Sequence, residues 1–247
     1  MSRFYVPPEK IKGDLIHVDG KEARHILTVM RMSEGDRIVL FDGEGNEYTG
    51  FIRDAATDSG RELTVEVIKA EKPLPRKRPD IILAQALPKK ARMDHIVQKA
   101  TELGAAGIIP VITERTVPRP DGKKSAKRLA RWRKIAVEAA KQCGRAEVPD
   151  IPDIVRYADL AGDLDGYDLV VMASLMEGNI PIKQVVRGYK KGRILVCIGP
   201  EGDFTPEEAG IALKAPNCRP VSLGRRVLKS DTAGLYVLSV LGYELDI

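Results

Sequence analysis

Thiols and imidazoles are scarce in this chain: three cysteines and three histidines in 247 residues, with no CxxC spacing and no Cys/His cluster. A zinc site, a disulfide framework and a Ser-His-Asp triad therefore have little to build on, and no metal is expected. Cys143, Cys197 and Cys218 are expected to be buried free thiols. Aromatic residues make up 5% of the chain, too few for a broad base-stacking platform. The single tryptophan, Trp132, falls in a helical apolar stripe and reads as core. No apolar run approaches the roughly 18 residues of a membrane span, and residues 1–10 are too polar and proline-rich for a signal peptide. The expectation is a cytoplasmic protein with no membrane partner. Neither GxGxxG nor GxxxxGK(S/T) occurs, so the usual dinucleotide and nucleoside triphosphate fingerprints are absent.

What is present begins with charge. The chain carries +5 overall, but residues 85–145 hold fifteen Lys and Arg against five Asp and Glu, a local +10, which leaves −5 for the remainder. Such a cluster is either an electrostatic footprint for a phosphate-rich partner or a solvated helix face. A membrane-surface helix is disfavoured, because it needs bulky apolar anchors on its other face.

Hydrophobic residues at 43% are enough for a real core. Asp36–Phe41 and Glu62–Ile68 are short β-prone runs, Asp42–Asn46 is turn chemistry, and Lys21–Met32 has the spacing of one helix, so residues 1–72 read as a small β domain. Residues 73–79 carry three prolines and are read as the linker. From Asp80 to 247 strands alternate with helices. Strands are expected at Ile81–Leu87, Gly107–Thr113, Asp168–Ser174, Arg193–Ile198 and Arg219–Leu223. Helices are expected at Lys89–Leu103 and Ser125–Cys143, with starts near Pro181, Thr205 and Asp231. This is βαβ architecture with a parallel sheet.

Two strand ends break into backbone-rich loops: Gly199-Pro200-Glu201-Gly202-Asp203-Phe204, and Ser222-Leu223-Gly224-Arg225-Arg226-Val227-Leu228. Open α/β sheets bind ligands outside the carboxyl ends of their strands, where glycine lets main chain approach a flat ligand. The first loop equally serves as a plain strand-to-helix turn, since Thr205-Pro206-Glu207-Glu208 has the cap, proline and acidic first turn of a helix start. The second is either a charged surface corner or a site wall.

Together these loops resemble the C-terminal motifs of the SPOUT class of methyltransferases, and more narrowly those of the 16S ribosomal RNA (uracil-N3)-methyltransferase family. The likeness extends to Arg3–Val6, to His25, Val29, Arg31, Gly35 and Asp36, and to Gln98–Gly104, Glu114-Arg115 and Gln142–Arg145. Departures are Asp203 for the second glycine after Gly-Pro-Glu-Gly, Lys229 for an arginine, Asp231 for a glutamate, and Lys141 and Cys143 on either side of Gln142. The resemblance implies an α/β trefoil-knotted SPOUT domain preceded by a PUA-like RNA-binding β-barrel, S-adenosyl-L-methionine as cofactor, 16S rRNA within the 30S subunit as partner, and a homodimer formed through the knotted domain.

Carried onto this chain, the cofactor contacts fall on Leu175, on Ile198, Gly199, Pro200, Glu201 and Gly202, and on Ser222, Leu223, Gly224, Val227 and Leu228. Methylation of uracil N3 requires stabilising negative charge as the N3 proton leaves, a task for guanidinium donors. The candidates are Arg226, then Arg145 and Arg115, with Lys229 as a further donor. Asp231 or Glu102 either accepts a proton or orients an arginine. Lys89, Lys90, Arg92, Lys123, Lys124, Lys127, Arg128, Arg131 and Arg133 are expected at RNA phosphates, with Arg3, Arg24 and Arg31 orienting the RNA from the amino-terminal domain. Two alternatives remain: a SPOUT ribose 2′-O-methyltransferase, and a noncatalytic RNA-binding assembly factor.

Overall fold

The computed structural model describes residues 3–55, 62–72, 79–89, 91–189 and 192–245. Lys90, most of the expected linker and residues 56–61 lie outside the described residues. The chain divides into two compact units, one of residues 1–75 with 140–148, the other of residues 76–139 with 149–247.

In the first unit, β1 (Arg3–Tyr5), β2 (Ile11–Lys12), β3 (Leu15–Asp19), β4 (Arg37–Phe41), β5 (Glu47–Ala55) and β6 (Glu62–Glu71) form one sheet in the order β1-β4-β5-β6-β3-β2. β1 runs parallel to β4 and the other pairs are antiparallel. Period-two alternation explains β3, where Ile16 and Val18 are buried while Leu15, His17 and Asp19 face out. These side chains join Phe4, Ile38, Leu40, Ile52 and Val65 in one core. Asp42 closes the turn before β5, its Oδ1 accepting from the amides of Glu44 (2.8 Å) and Asn46 (3.0 Å). The expected single helix over Lys21–Met32 is instead a short helix α1 (Gly20–Arg24) running into a π-helical turn, His25–Val29. Met30 N donates to His25 O across five residues at 2.9 Å, and Arg31 then turns the chain at φ 55°. Apolar spacing located the buried Ala23 and Ile26, but it does not encode which carbonyl each amide chooses. Residues 140–148 complete this unit, with Lys141 Nζ 2.8 Å from Glu22 and Val148 N donating to Gly43 O at 2.8 Å.

The second unit is α/β. Its strands are β7 (Asp80–Ala86), β8 (Gly107–Ile112), β9 (Val155–Arg156), β10 (Leu169–Ala173), β11 (Ile180–Pro181), β12 (Arg193–Ile198) and β13 (Cys218–Ser222). They lie in the order β11-β13-β10-β12-β7-β8-β9, every pair parallel. Burial on both faces makes their sequences continuously apolar; all five residues of β10 are buried. The connecting helices are α2 (Arg92–Glu102), α3 (Gly122–Cys143), α4 (Tyr157–Ala161), α5 (Ile182–Val186), α6 (Pro206–Ala212) and α7 (Ser230–Glu244). α2 starts later than the expected Lys89, at Arg92. Leu129, Trp132, Ala136 and Ala139 bury one stripe of α3, so Trp132, 3% exposed, is a core residue. Cys197 and Cys218 are buried as expected; Cys143, in the last turn of α3, is exposed. It continues the spacing of that stripe, four residues after Ala139, but is the last residue of α3, where the helix ends. Among the described residues no helix is long and apolar enough to cross a membrane.

β10 is the switch point. Its neighbour on one side is β12 and on the other β13, with Ala173 paired to Ile198 and to Val221. The chain leaves the carboxyl ends of these three strands side by side, where main-chain ends converge and a crevice opens.

Candidate functional site

Three loops enclose a cavity of about 490 Å³ at this edge. One wall is the loop after β10, from Ala173 to Met176 with Gly178 and Asn179. The second is Ile198 to Glu201 with Asp203. The third is Ser222 to Gly224 and Arg226 to Ser230, backed by Ala233 of α7. Asn179 Nδ2 donates to Ser174 O at 2.7 Å and folds the first wall back on itself.

The second wall is held from several directions. Asp203 sits at φ 60°, a left-handed position that favours glycine and that aspartate tolerates better than most residues. This explains the departure from glycine, and the side chain adds two bonds that glycine lacks. Oδ2 accepts from Leu175 N at 2.7 Å, tying the first wall to the second, and Oδ1 accepts from Phe204 N at 2.9 Å. A Cβ at Gly199 would stand 3.1 Å from that Oδ1 and 3.2 Å from Phe204 N, so a side chain there would have to push this turn aside by a few tenths of an ångström. Behind the loop, Arg115 Nη1 donates to Gly202 O at 2.6 Å, and Glu201 Oε1 accepts from Lys89 N at 3.1 Å. Beneath it, Ser230 Oγ donates to Gly199 O at 2.6 Å and accepts from Gln85 Nε2 at 2.9 Å. Gln85 is fully buried in β7, and Gly234 lets α7 lie close over it: a Cβ there would stand 2.8 Å from Gln85 Oε1 and force the amide to shift.

Below the loop, α6 begins with a full capping box. Thr205 Oγ1 accepts from Glu208 N at 3.2 Å, while Glu208 Oε2 accepts from Thr205 N at 3.1 Å. The other Glu208 oxygen accepts from Glu114 N at 2.8 Å.

Every expected cofactor contact except Gly202 lines the cavity, and so do Arg226 and Lys229. Gly202 faces Arg115 instead, which makes Arg115 a support of the loop from behind. Glu102 lies elsewhere, with Lys99 Nζ donating to it at 2.8 and 2.9 Å. Asp231, one residue beyond the lining, stands 3.8 Å from Arg92 Nη1. Arg145 belongs to the first unit. Among the described residues the exposed Arg226 guanidinium has no hydrogen bond or ion pair, so its five donors are unspent. Sequence reasoning did not find Gln85 or Ser230. The signal for Gln85 was a lone amide inside an otherwise apolar strand, since a buried polar group must have a partner.

Burial pushes the Cys218 thiol up to about 11, and it also raises Cys197 and the Tyr157 phenol. All three belong to the core of the sheet and stay protonated near neutral pH, so none is a ready nucleophile or base.

The basic residues divide by use. Arg133 spends Nε and Nη2 on Ile151 O at 2.9 and 2.8 Å, Lys124 pairs with Asp121 at 3.4 Å, and Arg3 pairs with Glu47. Lys89, Lys123, Lys127 and Arg128 are exposed in the second unit, as is Arg131 beside its ion pair with Asp94, and Arg24 and Arg31 are exposed in the first.

Comparison with known proteins gives this arrangement its relatives. Residues 75–242 match the RNA methyltransferase domain family and residues 18–72 the RNA methyltransferase PUA domain family. The chain is 35% identical to the ribosomal RNA small subunit methyltransferase E of Bacillus subtilis, covering all of this chain and 98% of that one. It is 30% identical to the protein of the same name from Aquifex aeolicus, over 98% of this chain and 99% of that one. The crystal structure of a ribosomal RNA small subunit methyltransferase E from Neisseria gonorrhoeae bound to S-adenosyl methionine is similar at a TM-score of 0.83 and 30% identity, covering 98% and 97% of the two chains. This chain, with its parallel α/β sheet and three-loop cavity, belongs to the RNA methyltransferase family, with the small-subunit ribosomal RNA methyltransferases E as full-length relatives.

Proposed function

We propose that this protein methylates N3 of a uracil in 16S ribosomal RNA, with S-adenosylmethionine bound in the three-loop cavity. The observation that carries the reading is the unspent Arg226 guanidinium on the rim of a cavity built otherwise from backbone and apolar side chains. The residues fit such a cofactor. About 490 Å³ is within the usual range for ligand pockets, Leu223, Val227 and Leu228 offer apolar surface to an adenine, and the main chain of the glycine turns offers directional partners. When bound, S-adenosylmethionine supplies a methyl group on a positively charged sulfur.

The chain's own contribution is orientation and charge. The loops seat the cofactor, and Arg226 donates to the uracil carbonyl oxygens as the N3 proton passes to solvent water, stabilising the negative charge that makes N3 nucleophilic. Transfer breaks the sulfur–methyl bond and forms the N3–methyl bond. Lys229 adds a cation at the same rim. Arg115 and Asp231 act as positioning groups, the first on the Gly202 turn and the second toward Arg92.

In the same reading residues 1–72 form the PUA-like module that orients RNA through Arg3, Arg24 and Arg31. Residues 73–79 link it to the catalytic domain at 80–247, which threads as a trefoil knot and pairs in a homodimer. The substrate is the rRNA of the 30S particle, in the cytoplasm. Lys89, Arg92, Lys127 and Arg128 neutralise its phosphates, and Arg131 contacts the RNA beside them. Incubation with labelled S-adenosylmethionine and either 16S RNA or 30S particles, followed by nucleoside mapping, tests this. Methyl on uracil N3 is expected, methyl on ribose would identify a 2′-O-methyltransferase, and no transfer to either substrate would refute the activity.

A further inference from the structure

A second cavity, about 300 Å³, opens in the same unit between the loop after β7 and the helices α2 and α3. Leu87, Pro88, Met93 and Trp132 give it an apolar side, and Arg128 and Arg131 give it a cationic one. One corner is built with care. Asp94, on the first turn of α2, accepts from Trp132 Nε1 at 3.1 Å through Oδ1 and pairs with Arg131 Nη2 at 2.5 Å through Oδ2. Both carboxylate oxygens are thus occupied, the carboxylate charge is offset, and the Arg131 guanidinium is anchored beside the tryptophan. Arg128 lies one helical turn before Trp132 and is exposed.

We infer that this cavity takes one unpaired nucleotide of the RNA substrate, distinct from the nucleotide that is methylated. The inference rests on the RNA-methylating reading above and adds a second point of contact to it. An anchored guanidinium plane over a floor of buried apolar side chains suits a nucleobase, which stacks on arginine. Arg128 and the exposed lysines before it on α3 suit the flanking phosphates, and the +10 stretch of residues 85–145 supplies the field. The position also fits. β7 lies beside β12 in the sheet, and Lys89, directly after Leu87 and Pro88, donates its amide to Glu201 on the wall of the first cavity. An RNA strand that presents a base at Arg226 has this second recess along the same carboxyl edge of the sheet.

Because Trp132 is the single tryptophan of the chain, its emission reports on this recess directly. The test titrates the full chain with a short single-stranded oligouridylate and with an abasic oligonucleotide of equal length and charge, while methyl transfer to small-subunit RNA is followed in parallel. Saturable quenching by the oligouridylate and none by the abasic strand is expected. Arg131→Ala should raise the half-saturating concentration about tenfold, the scale of one lost stacking contact, and raise the KM for RNA by a similar factor with kcat kept. Arg131→Lys should restore little, since it returns charge without the planar fork. Arg128→Ala is the second variant and should weaken both strands alike. Equal quenching by both strands, absence of oligouridylate binding, or binding by gel shift without quenching would overturn the proposal. Failure of the underlying reading looks different: quenching without methyl transfer keeps the nucleotide site and removes the reaction, whereas methyl transfer without quenching keeps the reaction and removes the site.

Discussion

The two glycine-containing loops that face each other across the first cavity are built on opposite plans. Gly199–Phe204 is braced on every side: Asp203 holds its own turn and the neighbouring Leu175, Arg115 grips Gly202 from behind, and Ser230 caps Gly199 from beneath. Ser222–Lys229 presents Gly224, Arg225, Arg226 and Val227 to solvent, with Gly224 N donating to Ser222 Oγ at 3.3 Å as its local brace. A wall that must present fixed main-chain partners to a cofactor gains from rigidity, because ordering costs are met during folding rather than at binding. A wall that carries the charge-stabilising side chain must instead keep that side chain free of internal partners. In the proposed reading the two loops divide the labour of holding and reacting.

The sharpest way to break that division is Arg226→Ala. Methyl transfer should fall about 100- to 1000-fold, the scale for removing one preorganised donor to developing charge, while the Kd for S-adenosylmethionine changes little. Single-turnover transfer and calorimetric cofactor binding separate the two. Equal losses in both would place Arg226 in the shaping of the loop. Next, Asp203→Ala puts a Cβ-bearing residue without local hydrogen bonds at φ 60° and frees the Leu175 amide, so cofactor affinity should drop about tenfold or more. Asp203→Gly relieves the backbone and loses only the bonds, and it should fall between that variant and the parent. Third, Ser230→Ala strips a buried partner from Gly199 O and Gln85, which should cost about 1–3 kcal/mol in denaturant unfolding with a matching loss of cofactor binding. Thr205→Ala removes the cap of α6 below the braced loop and should cost about 1 kcal/mol, with transfer rate nearly kept.

The smallest effect concerns thiols. Burial disfavours the charged thiolate, so Cys218, raised to about 11, should label slowly at pH 8, as should Cys197, with labelling speeding up only as pH rises toward that value or as the chain unfolds. Exposed Cys143 should label at once. Fast labelling of all three would show that the sheet behind the braced loop opens readily.

Much of this plan was legible in the residues. Continuous apolar runs marked β7, β10 and β12, because a strand covered on both faces has no polar side to show. Thr205-Pro206-Glu207-Glu208 marked the start of α6, because its cap is made by neighbours in sequence. The π-helical turn after α1 escaped notice, since an amide's choice between the fourth and fifth preceding carbonyl leaves no trace in side-chain spacing. Arg115 read as a candidate for the reacting base and stands behind the loop. Glu102 read as a proton acceptor or as an orienter of an arginine, and its carboxylate pairs with Lys99. In both cases the residue type was suited to the chemistry, and the direction of the side chain depended on packing between elements far apart in the chain.

Periodicity, caps and turn residues act over a few positions, so sequence alone was enough to specify the parallel α/β class, the glycine-rich loops at strand ends and the concentration of positive charge before residue 145. The convergence of three loops on one cavity came from the strand order β13-β10-β12, a long-range pairing that no local pattern specifies. The same order set Gln85 under Ser230 across 145 positions and left Arg226 without a partner among the described residues while Arg115 was spent on the loop. Hydrogen bonds and ion pairs have short reach, and the fold alone determines which groups come within it.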